Sequence, residues 1–189
     1  MPGPSRGIDP QVARLIRLVV LDVDGVLTDG GVYIGARPGE DRIELKRFDV
    51  QDGLGIKMLR WAEIEVAIVS GRVSEATTLR AKELGIDECH QDPDAKKLPI
   101  VRKLLDDRGI GWEEAAMVAD DLADLPILER VALPVAVSNA VPEVHAVSGW
   151  TTEAPGGRGA VREFARALLM ARGEWDRLVR EYCDARSQE

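Results

Sequence analysis

Residues 18–31 read Leu18-Val19-Val20-Leu21-Asp22-Val23-Asp24-Gly25-Val26-Leu27-Thr28-Asp29-Gly30-Gly31. The four apolar residues at the front show no alternation, which is the pattern of a parallel strand covered on both faces. In open α/β sheets, ligands bind at the carboxyl ends of such strands. Asp22 and Asp24 are two apart, so an extended chain puts them on one side of the strand tip. The glycines that follow let the chain turn away. Two carboxylates on one edge repel each other unless a positive group lies between them, and a divalent cation suits that place. Taken alone, Asp-x-Asp-Gly is equally a polar turn, since Asp and Gly are common turn formers.

The 189 residues suffice for one domain with a sizeable core, read here as residues 1–189. A formal charge of −8 argues against a nucleic-acid or anionic-membrane surface, which needs a basic patch. An anionic substrate would require locally concentrated Lys and Arg. Cys89 and Cys183 are far apart and offer neither metal-ligand spacing nor a disulfide framework, as expected of reduced thiols in a cytoplasmic protein. No apolar run reaches membrane-spanning length, and the first ten residues lack the apolar core of a signal peptide.

Outward from the quoted stretch, strand and helix signals alternate. Residues 10–17 read as a short helix. Residues 31–48 alternate about a Pro-Gly turn at 37–41 and read as a β-hairpin near the Asp22 end. Residues 49–53 read as a loop before a helix at 54–62. A buried strand at 66–69 ends in Ser70-Gly71-Arg72, and a helix at 74–84 opens on Ser74 as its cap. A short strand at 86–90 precedes a helix at 97–108. A strand at 115–119 runs into Asp120-Asp121-Leu122-Ala123-Asp124 and a short helix. Residues 134–137 and 150–152 read as strands, 141–147 as a short helix, and 159–183 as one helix with Val161, Phe164, Ala165, Leu168 and Leu169 on a face. This alternation predicts an α/β, doubly wound (Rossmann-like) parallel sheet with a small β-hairpin insertion and no large cap domain.

In such a sheet the polar strand ends at Asp22, Ser70 and Asp120, together with Lys97 at a helix start, open on one edge. In this order they resemble the four motifs of the haloacid dehalogenase superfamily. The likeness is closer to its 3-deoxy-D-manno-octulosonate 8-phosphate phosphatase branch, carried by DVDGVLTDG, FDVQDGLGI, EVAIVSGR, VADDLADLP and GGRGAVRE, over roughly residues 19–167. The resemblance implies a cytoplasmic, magnesium-dependent homotetramer that hydrolyses a phosphorylated sugar acid.

Phosphoryl transfer needs an in-line nucleophile and neutralised charge. The resemblance therefore casts Asp22 as nucleophile, Asp24 as general acid and then base, and Ser70, Gly71 and Lys97 as the phosphate cradle. It gives Mg²⁺ to Asp22, Asp120 and the backbone carbonyl of Asp24, and leaves Asp121 and Asp124 as accessory groups. Lys96 is the adjacent rival of Lys97. The sugar acid would meet Asp24, Asp49, Val50, Gln51, Asp52, Gly53, Lys57, Gly71, Arg72, Arg80 and Asp121. If Arg72 and Arg80 lie on one helix they can share a face, and a guanidinium suits a carboxylate. Gly156-Gly157-Arg158-Gly159 resembles the branch's segment that closes over the site. The chain departs from the branch at Ala119, at the Gln91-Asp92-Pro93-Asp94 loop, at the longer hairpin turn and at Lys57. These positions leave a nine-carbon ulosonate 9-phosphate as an alternative substrate and a non-catalytic binding role as a second class.

Overall fold

In the computed structural model, which describes residues 7–36, 39 and 43–187, the apolar run forms strand β1 (Leu18–Leu21) inside a six-stranded parallel sheet. On one side β1 pairs with β4 (Glu65–Ser70), which pairs with β5 (Cys89–Gln91). On the other side follow β6 (Ala115–Ala119), β7 (Leu133–Ala136) and the edge strand β8 (Trp150–Thr151). The order is β5-β4-β1-β6-β7-β8, and a separate antiparallel hairpin is made by β2 (Tyr33–Gly35) and β3 (Ile43–Leu45). The predicted turn at 37–41 lies outside the described residues apart from Gly39.

Alternate residues of the central strand serve two cores, as the pleat requires. Val19 and Leu21 pack with α1 (Pro10–Leu15), α2 (Val50–Trp61) and α7 (Ala160–Arg172) through Ala13, Ile56, Leu59, Phe164 and Leu168. Leu18 and Val20 face the opposite layer, where α4 (Lys97–Arg108), α5 (Leu125–Leu128) and α6 (Pro142–Val147) contribute Val101, Leu105, Ile127, Leu128 and Val144. This is why residues 18–21 show no polar alternation. Among the described residues no helix is long and apolar enough to cross a membrane.

Four local readings change. The 49–53 segment is not a loop: α2 starts at Val50, because the Asp49 side chain accepts from the Gln51 N–H and caps the first turn. Ser74 precedes α3 (Glu75–Glu83), yet its hydroxyl caps nothing and its buried Oγ has no hydrogen-bond partner. Strand β5 lies at 89–91 rather than 86–90. The long C-terminal helix is two helices, since Gly173 (φ 77°) terminates α7 and α8 (Trp175–Ser187) begins after it.

Candidate active site

The chain runs from β1 out to β4 and β5, then crosses back to enter β6 on the other side of β1. Loops leaving β1 and β6 therefore part, and a crevice opens at their carboxyl ends. Asp22 directly follows β1 and Asp120 directly follows β6. Asp124 comes from the single turn at Leu122–Asp124, and Lys97 is the first residue of α4. The Lys97 ammonium lies 2.7 Å from Asp22 Oδ1 and 2.7 Å from Asp124 Oδ1. Lys96 sits at the surface, paired with Asp94.

Carboxylate oxygens of Asp22, Asp120 and Asp124 lie within 4.8 Å of one another. One ammonium faces two buried acids and a part-buried third, so the cluster is short of positive charge. Burial, and after it the negative charge of Asp22, raises both Asp120 and Asp124 above the usual carboxylate range. Burial alone would lower the Lys97 ammonium, but Asp22 and Asp124 outweigh it and raise it. Asp120 Oδ1 and Asp124 Oδ2 are buried without a hydrogen-bond partner. Buried, orphaned carboxylate oxygens gathered on one point are the donor set of a hard, oxygen-seeking divalent cation. The residues fit magnesium.

The backbone around this cluster is closely packed. After Asp22 the chain makes a wide turn, closed by the Thr28 N–H on the Val23 carbonyl at 2.9 Å. Gly25 takes φ 91°, and a β-carbon there would overlap the Asp120 carboxylate. Gly156 abuts the Gly25 carbonyl so closely that a β-carbon would overlap it. Asn139, just past β7, binds both: its Nδ2 donates to the Gly25 carbonyl (3.2 Å) and its Oδ1 accepts from the Gly156 N–H (2.6 Å). Sequence reasoning missed Asn139, which nothing in its local pattern singles out. Ala119 is buried in the core layer under α4 and α5.

The extended strand does not reach the two aspartates of the first motif. β1 stops at Leu21, and Asp24 lies in the wide turn, where its carboxylate leaves the cluster for Lys46 (Nζ–Oδ1 2.7 Å). Lys46 follows β3, and its side chain is 0% exposed. Arg72 stands 3.8 Å from Asp24 and 3.2 Å from Glu44. Glu44 and Lys46 are two apart on the hairpin strand and so face the site together, while Ile43 and Leu45 point outward and are exposed. Ser70 is buried, its Oγ accepting from the Arg72 N–H. The Gly71 backbone packs against Ala95 and the Lys97 stem.

The other predicted contacts scatter. Arg72 precedes α3, so Arg72 and Arg80 do not lie on one helix. Arg80 donates to the Asp49 carbonyl and to Glu83. Asp52 is buried, and its Oδ1 accepts from the Arg162 N–H at the start of α7 (2.8 Å). Burial raises Asp52 to about 6, against the lowering effect of that amide. Val50 and Gln51 are exposed on the first turn of α2. Lys57 lies over the Trp61 ring and, with Gly53, Arg60 and Lys82, lines a separate surface cavity. Asp121 is exposed and caps its own turn through the Leu122 N–H.

A set of clustered carboxylates able to hold a divalent cation, with a lysine among them, can act on an anionic phosphorus centre. No protein-family model matches the chain. It is 44% identical to the 3-deoxy-D-manno-octulosonate 8-phosphate phosphatase KdsC of Escherichia coli over 174 residues, 92% of this chain and 90% of the relative. The corresponding phosphatase of Yersinia pestis is 41% identical over 169 residues, 89% of this chain and 88% of the relative. The 3-deoxy-D-manno-octulosonate 8-phosphate phosphatase of Moraxella catarrhalis, solved with magnesium, phosphate and KDO, superposes with a TM-score of 0.85 at 36% identity, covering 92% of this chain and 97% of that one. A Legionella pneumophila hydrolase of haloacid dehalogenase subfamily III A gives 0.85 at 39% identity, over 93% of both chains. By this identity and coverage, the chain belongs to the 3-deoxy-D-manno-octulosonate 8-phosphate phosphatase family of the haloacid dehalogenase superfamily.

Proposed function

We propose that this chain is a magnesium-dependent phosphomonoester hydrolase, with 3-deoxy-D-manno-octulosonate 8-phosphate as its substrate. The observation that carries the proposal is the Asp22–Asp120–Asp124 cluster with the Lys97 ammonium between Asp22 and Asp124. Asp22, Asp120 and the Asp24 carbonyl would hold the magnesium ion, which supplies positive charge for the phosphoryl oxygens. Asp22 attacks phosphorus, forming an aspartyl-phosphate as the bond to the sugar oxygen breaks. Asp24 gives that oxygen a proton, and the resulting carboxylate then takes one from the water that hydrolyses the intermediate. Ser70 and the Gly71 amide bind phosphoryl oxygens, and Lys97 balances their charge. Arg72, beside Asp24, is the guanidinium in reach of a sugar carboxylate.

Phosphate release from a panel of ulosonate phosphates, with and without a chelator, tests this reading. The eight-carbon 8-phosphate is expected to be preferred, and turnover is expected to stop when the chelator is added. Preference for a nine-carbon 9-phosphate would reassign the substrate, and turnover indifferent to the chelator would remove the mechanism.

A cytoplasmic homotetramer is part of the same proposal, with the hairpin as the assembling element. Tyr33, Ile34, Ile43 and Leu45 are all exposed there, Tyr33 at 65% and Leu45 at 62%, an unusual concentration for a free surface. Leu45→Lys in sedimentation would shift the species to smaller mass; an unchanged mass would put the assembling surface elsewhere.

A further inference from the structure

We propose that Lys46 is the positioning residue for Asp24, delivered to the site by the hairpin. This rests on the reading of Asp24 as the proton-transfer group. A lysine side chain with no exposed surface is uncommon beside the exposed Ile43 and Leu45 of a hairpin strand and needs a partner. Here the ammonium spans both carboxylate oxygens of Asp24, at 2.7 Å and 3.0 Å, with the Thr77 hydroxyl at 3.4 Å and Glu44 at 3.9 Å. Arg72 reaches the same carboxylate only at 3.8 Å and is 41% exposed. The two cations therefore differ in task. Arg72 is part-exposed and paired chiefly with Glu44 (3.2 Å), whereas the buried Lys46 ammonium is paired with Asp24.

During the first half-reaction the Asp22–phosphorus bond forms and the phosphorus–oxygen bond breaks, its electron pair passing to the sugar oxygen. That oxygen takes the Asp24 proton, leaving a carboxylate that Lys46 holds in place for the water step. Without Lys46, the nearest cation to Asp24 is Arg72, which would draw the carboxylate off the reaction line. The loss should then scale with the need for a proton at the leaving oxygen.

The test is kcat/KM over substituted phenyl phosphates, from dinitrophenyl to phenyl, with the sugar phosphate as the alkyl limit. A dinitrophenolate departs unprotonated, so Lys46→Gln should lose about 2-fold there, about 10-fold on phenyl phosphate and about 10²-fold on the sugar phosphate. Lys46→Arg, which keeps the charge and the donors, should recover part of that slope. Equal loss on every ester, or no loss on any, overturns the proposal. If Lys46→Gln does not fold, Thr77→Val removes only the hydroxyl behind the ammonium and should steepen the same line by less; a parallel line there overturns it too. Asp24→Asn separates the failures. If Asp24→Asn leaves the slope unchanged, the assignment of Asp24 is wrong, and if the wild-type protein hydrolyses none of the esters, the phosphatase reading is wrong.

Discussion

The floor of the crevice and its rim use the same chemical groups but hold them differently. On the floor, Asp22, Asp124 and Lys97 come from the end of β1, the turn at Leu122–Asp124 and the start of α4, and each side chain is less than a tenth exposed. On the rim, Asp24, Glu44 and Arg72 are between 16% and 41% exposed, and Lys46 reaches them from a two-stranded hairpin outside the main sheet. The floor is fixed by six strands packed on both faces. Two short strands with few neighbours hold the rim, a construction only marginally stable by itself. Charge at the floor is thus an intrinsic property of the fold, while charge at the rim depends on where the hairpin is seated.

Substitutions can break this contrast at its strongest point. Asp22→Asn should cut turnover by about 10⁴-fold or more, measured as phosphate release. In metal-free protein the same change removes a negative charge that raises both Asp120 and Asp124, so its melting temperature should rise rather than fall. Lys97→Met should lose activity and also about 3–5 kcal/mol of stability, read by denaturant titration, because it strands Asp22 and Asp124 without their counter-ion. A rim substitution such as Arg72→Met should cost less than about 1 kcal/mol in the same titration, since exposed pairs contribute little. If the two losses match, the contrast is wrong.

Magnesium sharpens it further. At about 100 times its dissociation constant, a ligand bound only by the folded state adds about 2.7 kcal/mol. Melting should rise by several degrees in wild-type protein and not at all in Asp120→Asn.

A test away from both regions concerns Asp52, at the junction of α2 and α7. Its pKa of about 6 in the folded protein exceeds the ordinary 3.8, so the folded state binds the proton more tightly than the unfolded chain. Stability should fall as pH rises from about 4 to 6 and level off above that, by up to about 3 kcal/mol. Asp52→Asn should flatten that decline in urea titrations at pH 4, 5, 6 and 7. An unchanged slope would assign the decline to other groups.

How much of this was legible follows from which residues write their role locally. Runs such as residues 18–21 and 115–119 announce buried strands because both faces are covered, and the polar residues at their ends were legible as site candidates for the same reason. Lys46 was not. Ile43-Glu44-Leu45-Lys46 alternates, and alternation shows that two faces differ without saying which one meets the protein. The usual sign puts apolar residues inward, whereas here the charged pair faces inward. The start of α2 was hidden by Gly53 and Gly55, although Asp49 with Asp52 three residues later is a readable cap signal. Gly173 likewise marked the break that divides α7 from α8. Asp52 and Arg80 read as ligand contacts because the family motif contains them, and only tertiary packing reveals their hold on α7 and on the Asp49 carbonyl.

The Asn139 stitch has a consequence for how the protein is made. It ties the Gly25 carbonyl, 114 residues upstream, to the Gly156 amide, 17 residues downstream. Contacts of such long sequence separation form late, after the entropy of closing the intervening chain has been met. A nascent chain emerging from the ribosome can therefore lay down its first five sheet strands while the loop carrying Asp22 and Asp24 still lacks its outer wall. The loop is completed only once the segment that opens α7 has been translated and docked, so its outer wall follows that segment.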